Sequence, residues 1–252
     1  MSRYKILENR PLTADVYNLV LEGEGVESLL PGQFVQVEIP GFYLRRPISL
    51  CDVQGDRIRL IYKILGQGTR ALTKINSGDL DLLVGLGNGF FPEEAPHTPL
   101  LVGGGVGIPP LFYLAKDLIQ RGHKPEVFLG FNKKEEIFLD EEFRDLGLTV
   151  HLATMDGSQG LEGTALDLLD RFQEEDRTDP DSPPYVYTCG PRPMLRALTA
   201  WMADKSIRGQ VSMEERMACG FGACMGCTIQ TKSGPRRVCK NGPVFPAEEV
   251  LW

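Results

Sequence analysis

Alternating apolar and polar positions in the first third of the chain predict short β-strands. Pro-Gly, Gly-Asp and similar turn pairs separate the alternating stretches, and no apolar period of 3.6 residues runs through them. Several short strands at this spacing favour a small antiparallel β-barrel. The three stretches that alternate most clearly are residues 16–23, 34–39 and 57–65.

Beyond residue 97 short apolar runs alternate with helical patterns. Helices are expected after the first run, to about Arg121, across the stretch ALDLLDRF, and from a proline to about Lys205. This order predicts a doubly wound parallel sheet. A linker is expected at 93–99 and a polar surface loop at 178–184. The strand-like runs are PLLVGGG, EVFLGF, LTVHLA and YVYTCG.

Cysteine usage separates the C-terminus from the rest of the chain, because four of the six cysteines lie in the last 34 residues. Together with the change of pattern near residue 97, this predicts an α+β protein of several domains. The expected division is an N-terminal antiparallel β-barrel at 1–96, a doubly wound parallel α/β domain at 97–210 and a small cysteine-rich module at 211–252.

The charge balance narrows the range of partners. The chain has 252 residues, is 42% hydrophobic and carries a net charge of −7, so it has no general attraction for nucleic acid or anionic lipid. Its apolar runs are too short to span a membrane, and the N-terminus lacks the apolar region of a signal peptide. We therefore expect a cytoplasmic protein, in which clustered cysteines bind metal more often than they form disulfides.

The stretch LVGGGVGIPPL places four glycines between a strand and a helix that begins with prolines. Glycines let the backbone approach a pyrophosphate, and a helix N-terminus attracts its charge. The alternative is a tight turn without a ligand, and the order GGGxG departs from the dinucleotide fingerprint. The residues concerned are Gly103, Gly104, Gly105, Gly107 and Pro109.

A second strand end, YTCGPRPML, contains Cys189, Gly190, Pro191 and Met194. The carboxyl ends of parallel strands meet at one edge of the sheet, where ligands bind. These residues are therefore expected beside the glycine turn. Taken alone, Cys189 can equally be a small buried apolar residue.

The stretch LRRPISL lies in the predicted barrel. Arg46 and Ser49 stand three residues apart and can reach one ligand, the guanidinium binding phosphate and the hydroxyl a polar ring edge. The alternative is an edge strand with solvated arginines.

The stretch CGFGACMGC begins a C-x4-C-x2-C-x11-C spacing. This is the plant-type 2Fe–2S pattern, in which a distant fourth cysteine completes the ligand set. Zinc sites usually show two CxxC pairs or histidine partners, and neither is present near this stretch. Zinc and disulfides remain the alternatives to a 2Fe–2S cluster. The four thiols belong to Cys219, Cys224, Cys227 and Cys239.

The order of these motifs resembles the ferredoxin reductase-like flavoprotein superfamily. The resemblance implies that the RPIS stretch and a second segment bind FAD, that the glycine turn and the CGP strand end bind NAD, and that Cys189 tunes hydride transfer. The residues it assigns to FAD are Arg46, Pro47, Ile48, Ser49, Tyr62, Lys63, Ile64, Leu65, Gly68 and Thr69. Those it assigns to NAD are Gly103, Gly104, Gly105, Gly107, Pro109, Cys189, Gly190, Pro191 and Met194.

The tail, MEERMACGFGACMGC followed by RVCKNGPVF, resembles one branch of that superfamily, the electron transfer subunits of class 1B dihydroorotate dehydrogenases. The resemblance implies that all four tail cysteines ligate a 2Fe–2S cluster. It also implies an FMN-containing catalytic subunit as partner, in a heterotetramer with two copies of each chain. Electrons would pass from that FMN through the cluster and FAD to NAD⁺, so the chain acts on substrate only with its partner.

Two other functions stay open at this stage. One is the reductase subunit of another NAD(P)H-dependent complex that uses ferredoxin or sulfur compounds. The other is a non-catalytic binding module stapled by zinc. NAD and NADP are not distinguished, because Lys133 and Lys134 can pair with a 2′-phosphate or be solvated, and Trp252 has no assigned role.

Overall fold

A computed structural model of the chain describes residues 2–92, 97–174 and 182–252. Residues 93–96 of the predicted linker and 178–181 of the predicted polar loop lie outside the described residues. Among those three ranges, no helix is both long enough and apolar enough to cross a membrane.

The N-terminal strands form a closed antiparallel barrel in the order β1-β2-β5-β4-β3-β6. The three stretches predicted from alternation are strands β2, β3 and β5, and the RPIS stretch opens strand β4. A short helix, α1, connects β5 to β6. The bounds are β1 (Ser2–Pro11), β2 (Val16–Glu22), β3 (Phe34–Val37), β4 (Arg46–Gln54), β5 (Arg57–Lys63), α1 (Gln67–Leu72) and β6 (Asp79–Leu86).

Strand β3 has two buried faces, and this decides what the barrel packs against. Val35 and Val37 belong to the core inside the barrel. Phe34 belongs to a different core, shared with the C-terminal part of the chain. Because side chains alternate along a strand, Gln36 lies on the same outer face as Phe34. The outer face of the barrel at β3 is therefore covered by protein.

The second unit is a seven-stranded sheet in the order β10-β9-β8-β7-β11-β12-β15. Neighbouring strands are parallel except β12 and β15. The bounds are β7 (Thr98–Gly104), α2 (Ile108–Gln120), β8 (Glu126–Phe131), α3 (Asp140–Asp145), β9 (Thr149–Thr154), β10 (Leu161–Glu162), α4 (Ala165–Glu174), β11 (Pro184–Cys189), α5 (Arg192–Asp204), β12 (Arg208–Ser212) and β15 (Val244–Pro246).

This strand order reverses direction between β7 and β11. The chain runs from β7 outward through β8 and β9, then returns to place β11 on the other side of β7. Such a reversal leaves a crevice at the carboxyl ends of the two central strands, where α/β proteins bind ligands.

The C-terminal segment adds a hairpin of β13 (Thr228–Thr231) and β14 (Gly234–Arg237), followed by the short helix α6 (Val238–Asn241). Strand β15 then returns to the large sheet beside β12. The predicted domain boundaries stay predictions, and β12 runs across the one at residue 210.

Two ion pairs join the barrel to the large sheet. The Lys116 ammonium on α2 lies 2.6 Å from both carboxylate oxygens of Asp52 on β4. Arg59 on β5 makes a two-pronged contact with Glu142 on α3. These bonds hold the two halves in a fixed relation.

Candidate functional site

The glycine turn and the CGP strand end meet at the crevice between β7 and β11. Gly103 and Cys189 are register partners in the parallel pair. A Cβ on Gly107 would lie 2.4 Å from the Gly190 nitrogen, and a Cβ on Gly104 would lie 2.6 Å from the Met194 sulfur. Glycine is needed at 107 because the backbone at the end of β11 touches it, whereas Gly104 is in contact with the flexible Met194 side chain on α5.

Gly105 differs from its neighbours because it faces open space. Its φ is +50°, and a Cβ there would meet no atom within 4 Å. Helix α2 begins three residues later with Ile108, Pro109 and Pro110. The two prolines carry no N–H, so the glycine turn rather than the first turn of the helix offers the amides for a phosphate.

The Cys189 thiol is buried, with only 2% of the residue exposed. Burial and the charge of Glu214 raise its pKa, although the Ser212 hydroxyl on β12 hydrogen-bonds the sulfur. A thiol that stays protonated at neutral pH is neither a nucleophile nor a base. The residue is at the predicted place, and its burial favours a positioning role.

The two segments assigned to FAD come together at the mouth of the barrel. A Cβ on Gly68 would lie 2.5 Å from Nη2 of Arg46, so the guanidinium at the start of β4 rests on the backbone of α1. The Phe42 ring lies 5.4 Å beneath the Arg46 guanidinium carbon. Thr69 Oγ1 accepts a hydrogen bond of 2.9 Å from the Leu65 amide and closes the turn into α1.

Not all residues of these segments face the same way. Ile48 and Tyr62 point into the barrel core, where the Tyr62 hydroxyl donates to Asn9 Oδ1 at 3.0 Å. Lys63 Nζ pairs with Asp15 at 3.1 Å. Pro47 is exposed at the opposite face of β4 from Ile48. The side chains of Ile48 and Tyr62 therefore belong to the barrel core, and the FAD contacts assigned to these two residues stay predictions.

Large apolar side chains near Arg46 and Gly68 in the sequence are exposed. Leu65 is 80% exposed, and Tyr43 and Leu44 next to the RPIS stretch are also exposed. Exposed apolar side chains are available to contact a ligand. Sequence analysis missed Tyr43 and Leu44, because their contribution depends on where the loop after β3 lies.

The four tail cysteines form two pairs. The Cys224 amide donates to the Cys219 sulfur at 3.4 Å, and the Cys239 amide donates to the Cys227 sulfur at 3.4 Å. Cys227 and Cys239 are buried, Cys219 is half-buried and Cys224 is exposed. The pairing brings the last cysteine back to the loop across the β13–β14 hairpin.

Backbone amides surround the sulfur of the first cysteine. Burial acts to raise the pKa of Cys219, but the amides of Cys224, Phe221 and Ala223 outweigh it and lower the pKa to about 6. Burial and the neighbouring Cys227 raise the pKa of Cys239 to about 12. Amides that point at the Cys219 sulfur favour its thiolate form, because hydrogen bonds stabilise the negative charge of thiolate and sulfide sulfur.

Two pairs of thiols suit a 2Fe–2S cluster, which takes two ligands at each of its irons. Arg237 holds the loop between Cys219 and Cys224 by donating to the Gly222 carbonyl at 2.6 Å.

The cysteine loop packs directly on the barrel strand next to the RPIS stretch. Phe34 shares a core with Cys227 and Cys239. Gln36 lies against Gly220, and it is the register partner of Pro47 in the β3–β4 pair. The cysteine loop and the RPIS stretch are therefore neighbours on the outer face of the barrel.

Two family models match the chain. Residues 101–200 match the oxidoreductase NAD-binding domain. Residues 214–251 match the iron–sulfur cluster binding domain of dihydroorotate dehydrogenase B. The second match contains all four tail cysteines.

Curated relatives match over nearly the full length. The dihydroorotate dehydrogenase B (NAD⁺) electron transfer subunit of Bacillus mycoides (strain KBAB4) is 39% identical over 260 residues, covering 98% of this chain and 96% of its own. The protein of the same name from Shouchella clausii (strain KSM-K16) is 40% identical over 262 residues, covering 99% and 97%.

Solved structures agree with this fold. The structure of an NADH-dependent reduced ferredoxin-NADP oxidoreductase superposes with a TM-score of 0.89 at 26% identity, covering 99% of this chain and 90% of that chain. A ferredoxin NADP⁺ reductase from Neisseria gonorrhoeae, solved with bound FAD and NADP, has a TM-score of 0.65 at 20% identity and shares the fold alone. It covers 80% of this chain and 90% of its own.

The chain combines a barrel, a parallel sheet with a glycine turn where the strand order reverses, and a four-cysteine loop. These features define a ferredoxin reductase-like oxidoreductase subunit. The family models confirm the iron–sulfur cluster and NAD in the cofactor prediction, and the ferredoxin reductase-like fold supports FAD. Within that class, the chain belongs to the family of dihydroorotate dehydrogenase B electron transfer subunits.

Proposed function

We propose that this chain carries electrons from the FMN of a dihydroorotate dehydrogenase catalytic subunit, through its own 2Fe–2S cluster and FAD, to NAD⁺. The names of the relatives support the partner. The observation that carries the proposal is the outer face of the barrel, where β3 packs on the cysteine loop and its neighbour β4 begins the RPIS stretch.

This order of groups follows from their chemistry. NAD⁺ accepts only a hydride, an iron–sulfur cluster passes single electrons, and a bound flavin exchanges both. The chain therefore needs its flavin segments between the cysteine loop and the sheet crevice. Arg46 and Gly68 lie at the barrel mouth, and the bond from Lys116 to Asp52 ties β4 to the helix after the glycine turn.

The residues proposed for each cofactor site have separate roles. The turn around Gly105 would hold a dinucleotide phosphate with backbone amides, and Arg46 would neutralise a flavin phosphate. Leu65 and Tyr43 would cover the flavin ring and exclude water. Cys219 and its three partners would ligate the cluster. No side chain has to act as an acid or base in this relay.

The partner surface is proposed at the exposed edge of the cysteine loop. Phe221 and Met225 are 58% and 54% exposed, and they flank the exposed Cys224. Exposed apolar side chains beside an electron-transfer group suit a protein interface. Two copies of each chain in a heterotetramer would place each cluster near one catalytic subunit.

The test is anaerobic purification followed by a visible spectrum and iron analysis. We expect flavin and iron–sulfur bands in the unmodified chain. In Cys224→Ser the cluster bands and the iron should be lost, whereas NADH should still reduce the bound FAD in stopped flow. Cys51→Ala is the matched control, because Cys51 is buried in a separate core and should leave the cluster intact.

Two results would contradict the proposal. A colourless protein containing zinc would indicate a binding module. Loss of flavin reduction in Cys224→Ser with FAD still bound would mean that electrons from NADH reach the cluster before the flavin.

A second candidate function is a reductase subunit that exchanges electrons with ferredoxin. The high structural similarity to the NADH-dependent reduced ferredoxin-NADP oxidoreductase favours it. Co-purification separates the two, because a partner that oxidises dihydroorotate supports the first function and a partner that uses ferredoxin supports the second.

A further inference from the structure

The side chain of Gln36 is buried against the cysteine loop. The residue is 0% exposed, and neither its amide nitrogen nor its amide oxygen has a hydrogen-bonding partner among residues 2–92, 97–174 and 182–252. A buried amide without partners is destabilising, because it gives up its hydrogen bonds to water and gains none in the protein. Native proteins retain few such groups, and each one calls for an explanation.

The position of Gln36 indicates what that partner is. It lies on the outer face of β3, and Nε2 would be 2.4 Å from a Cβ placed on Gly220. Gly220 has a φ of +76° and directly follows Cys219. The amide is therefore pressed onto the backbone of the cysteine loop next to its first cluster ligand.

Packing alone does not account for an amide at this site. Phe34, two residues earlier on the same face, packs against the same loop with a purely apolar side chain. An apolar residue at 36 would avoid the cost of burying the amide. An iron–sulfur cluster bound at the cysteine loop would instead provide a hydrogen-bond acceptor for the Gln36 amide.

We propose that Gln36 is a positioning residue for the iron–sulfur cluster, with its Nε2–H donating to a sulfur at the Cys219–Gly220 edge. This inference rests on the proposed function, because it needs the cluster at the four cysteines. It gives the cluster a contact from outside the cysteine loop, because Gln36 lies on β3, the barrel strand that pairs with the RPIS stretch.

The proposed bond has a measurable consequence. Reduction adds negative charge to the cluster sulfurs, and a hydrogen bond to sulfur is stronger in the reduced state. Gln36 would therefore raise the reduction potential of the cluster and help it accept an electron. Removing the donor should move that potential in the negative direction.

The experiment compares Gln36→Met with the unmodified full-length chain loaded with FAD and cluster. Methionine keeps the length of the side chain and removes the N–H donor. We expect a more negative cluster midpoint in a potentiometric titration followed by electron paramagnetic resonance. In the cluster-free chain we expect equal or greater stability in urea, because the lost amide had no partner. Gln36→Leu, which also lacks the donor, should shift the midpoint in the same direction.

Gln210→Met is the matched control. Gln210 is also buried, but its amide is satisfied by protein, donating to Tyr185 Oη at 3.0 Å and accepting from the Phe91 amide at 2.9 Å. This variant should lose stability and leave the cluster midpoint unchanged.

An unchanged midpoint in both Gln36 variants at full cluster occupancy would overturn the inference and leave the proposed function standing. Destabilisation of the cluster-free Gln36→Met chain to the extent seen in Gln210→Met would also overturn it, because the amide would then have a protein partner. A chain that binds no cluster at all would overturn both.

Discussion

Single glycines at the sheet crevice are under different constraints, and substitution can separate them. Gly107 has an ordinary φ of −79°, but its missing Cβ makes room for the backbone of Gly190. Gly107→Ala should therefore force the ends of β7 and β11 apart. We expect a stability loss of roughly 1–3 kcal/mol and weaker NADH binding, measured by urea unfolding and by the NADH dependence of flavin reduction.

Gly105→Ala is the companion variant at the same turn. It meets no neighbouring atom, so only the left-handed φ of +50° is penalised, at a cost of roughly 1–2 kcal/mol. NADH binding should also weaken, because the added methyl group projects into the space where the turn is proposed to hold the dinucleotide phosphate. Unchanged NADH affinity in Gly105→Ala would place the phosphate away from this turn.

Spacing along the chain predicts cluster ligands at the cysteines and a phosphate-binding turn at the crevice glycines, because both patterns are local, and the roles of these residues stay predictions. Gln36 and Tyr43 could not be found this way. The meaning of Gln36 depends on its pairing with Pro47 and its contact with Gly220, both of which are set by the tertiary structure. Tyr62 shows the converse, because it belongs to a binding stretch but its ring is buried in the barrel.

Strand β4 and helix α2 are joined by a salt bridge that matters because one of its partners is buried. The Asp52 side chain is 7% exposed and that of Lys116 is 21% exposed. Lys116→Met would leave the carboxylate buried without its counter-charge, at a cost of about 3 kcal/mol. Urea unfolding should show this loss, and flavin reduction by NADH should slow because α2 begins at the glycine turn.

Two controls accompany that variant. Arg121→Met removes an exposed pair with Asp117 one turn apart on the same helix and should cost only about 0.5 kcal/mol or less. Asp52→Asn combined with Lys116→Met should recover part of the loss. If Lys116→Met were no more destabilising than Arg121→Met, the salt bridge would have no role in joining the two units.

The strands of the large sheet were predictable where apolar residues form a continuous run. The runs 126–131 and 185–190 correspond to β8 and β11, because central parallel strands are buried on both faces. Strands β1 and β6 were missed, since β1 is rich in charged residues and β6 mixes glycine with acidic positions. Closure of the barrel, a long-range property, makes them strands.

At the scale of the whole molecule, the exposed apolar edge of the cysteine loop carries the prediction for the complex. Phe221 is 58% exposed beside Cys224. Phe221→Glu would place a charge in the proposed interface and should weaken binding of a dihydroorotate dehydrogenase catalytic subunit at least tenfold, or about 1.4 kcal/mol. Titration calorimetry with that subunit measures the change directly.

The same variant should spare every step inside the chain. NADH should reduce FAD at an unchanged rate, and the cluster spectrum should be intact, because Phe221 lies on the surface of the loop and is not a ligand. Leu7→Glu, at an apolar position of β1 that is 38% exposed, is the control and should bind the partner normally. Unchanged affinity in Phe221→Glu would show that the partner binds another surface. The exposure of Cys224 would then need an explanation other than a protein interface.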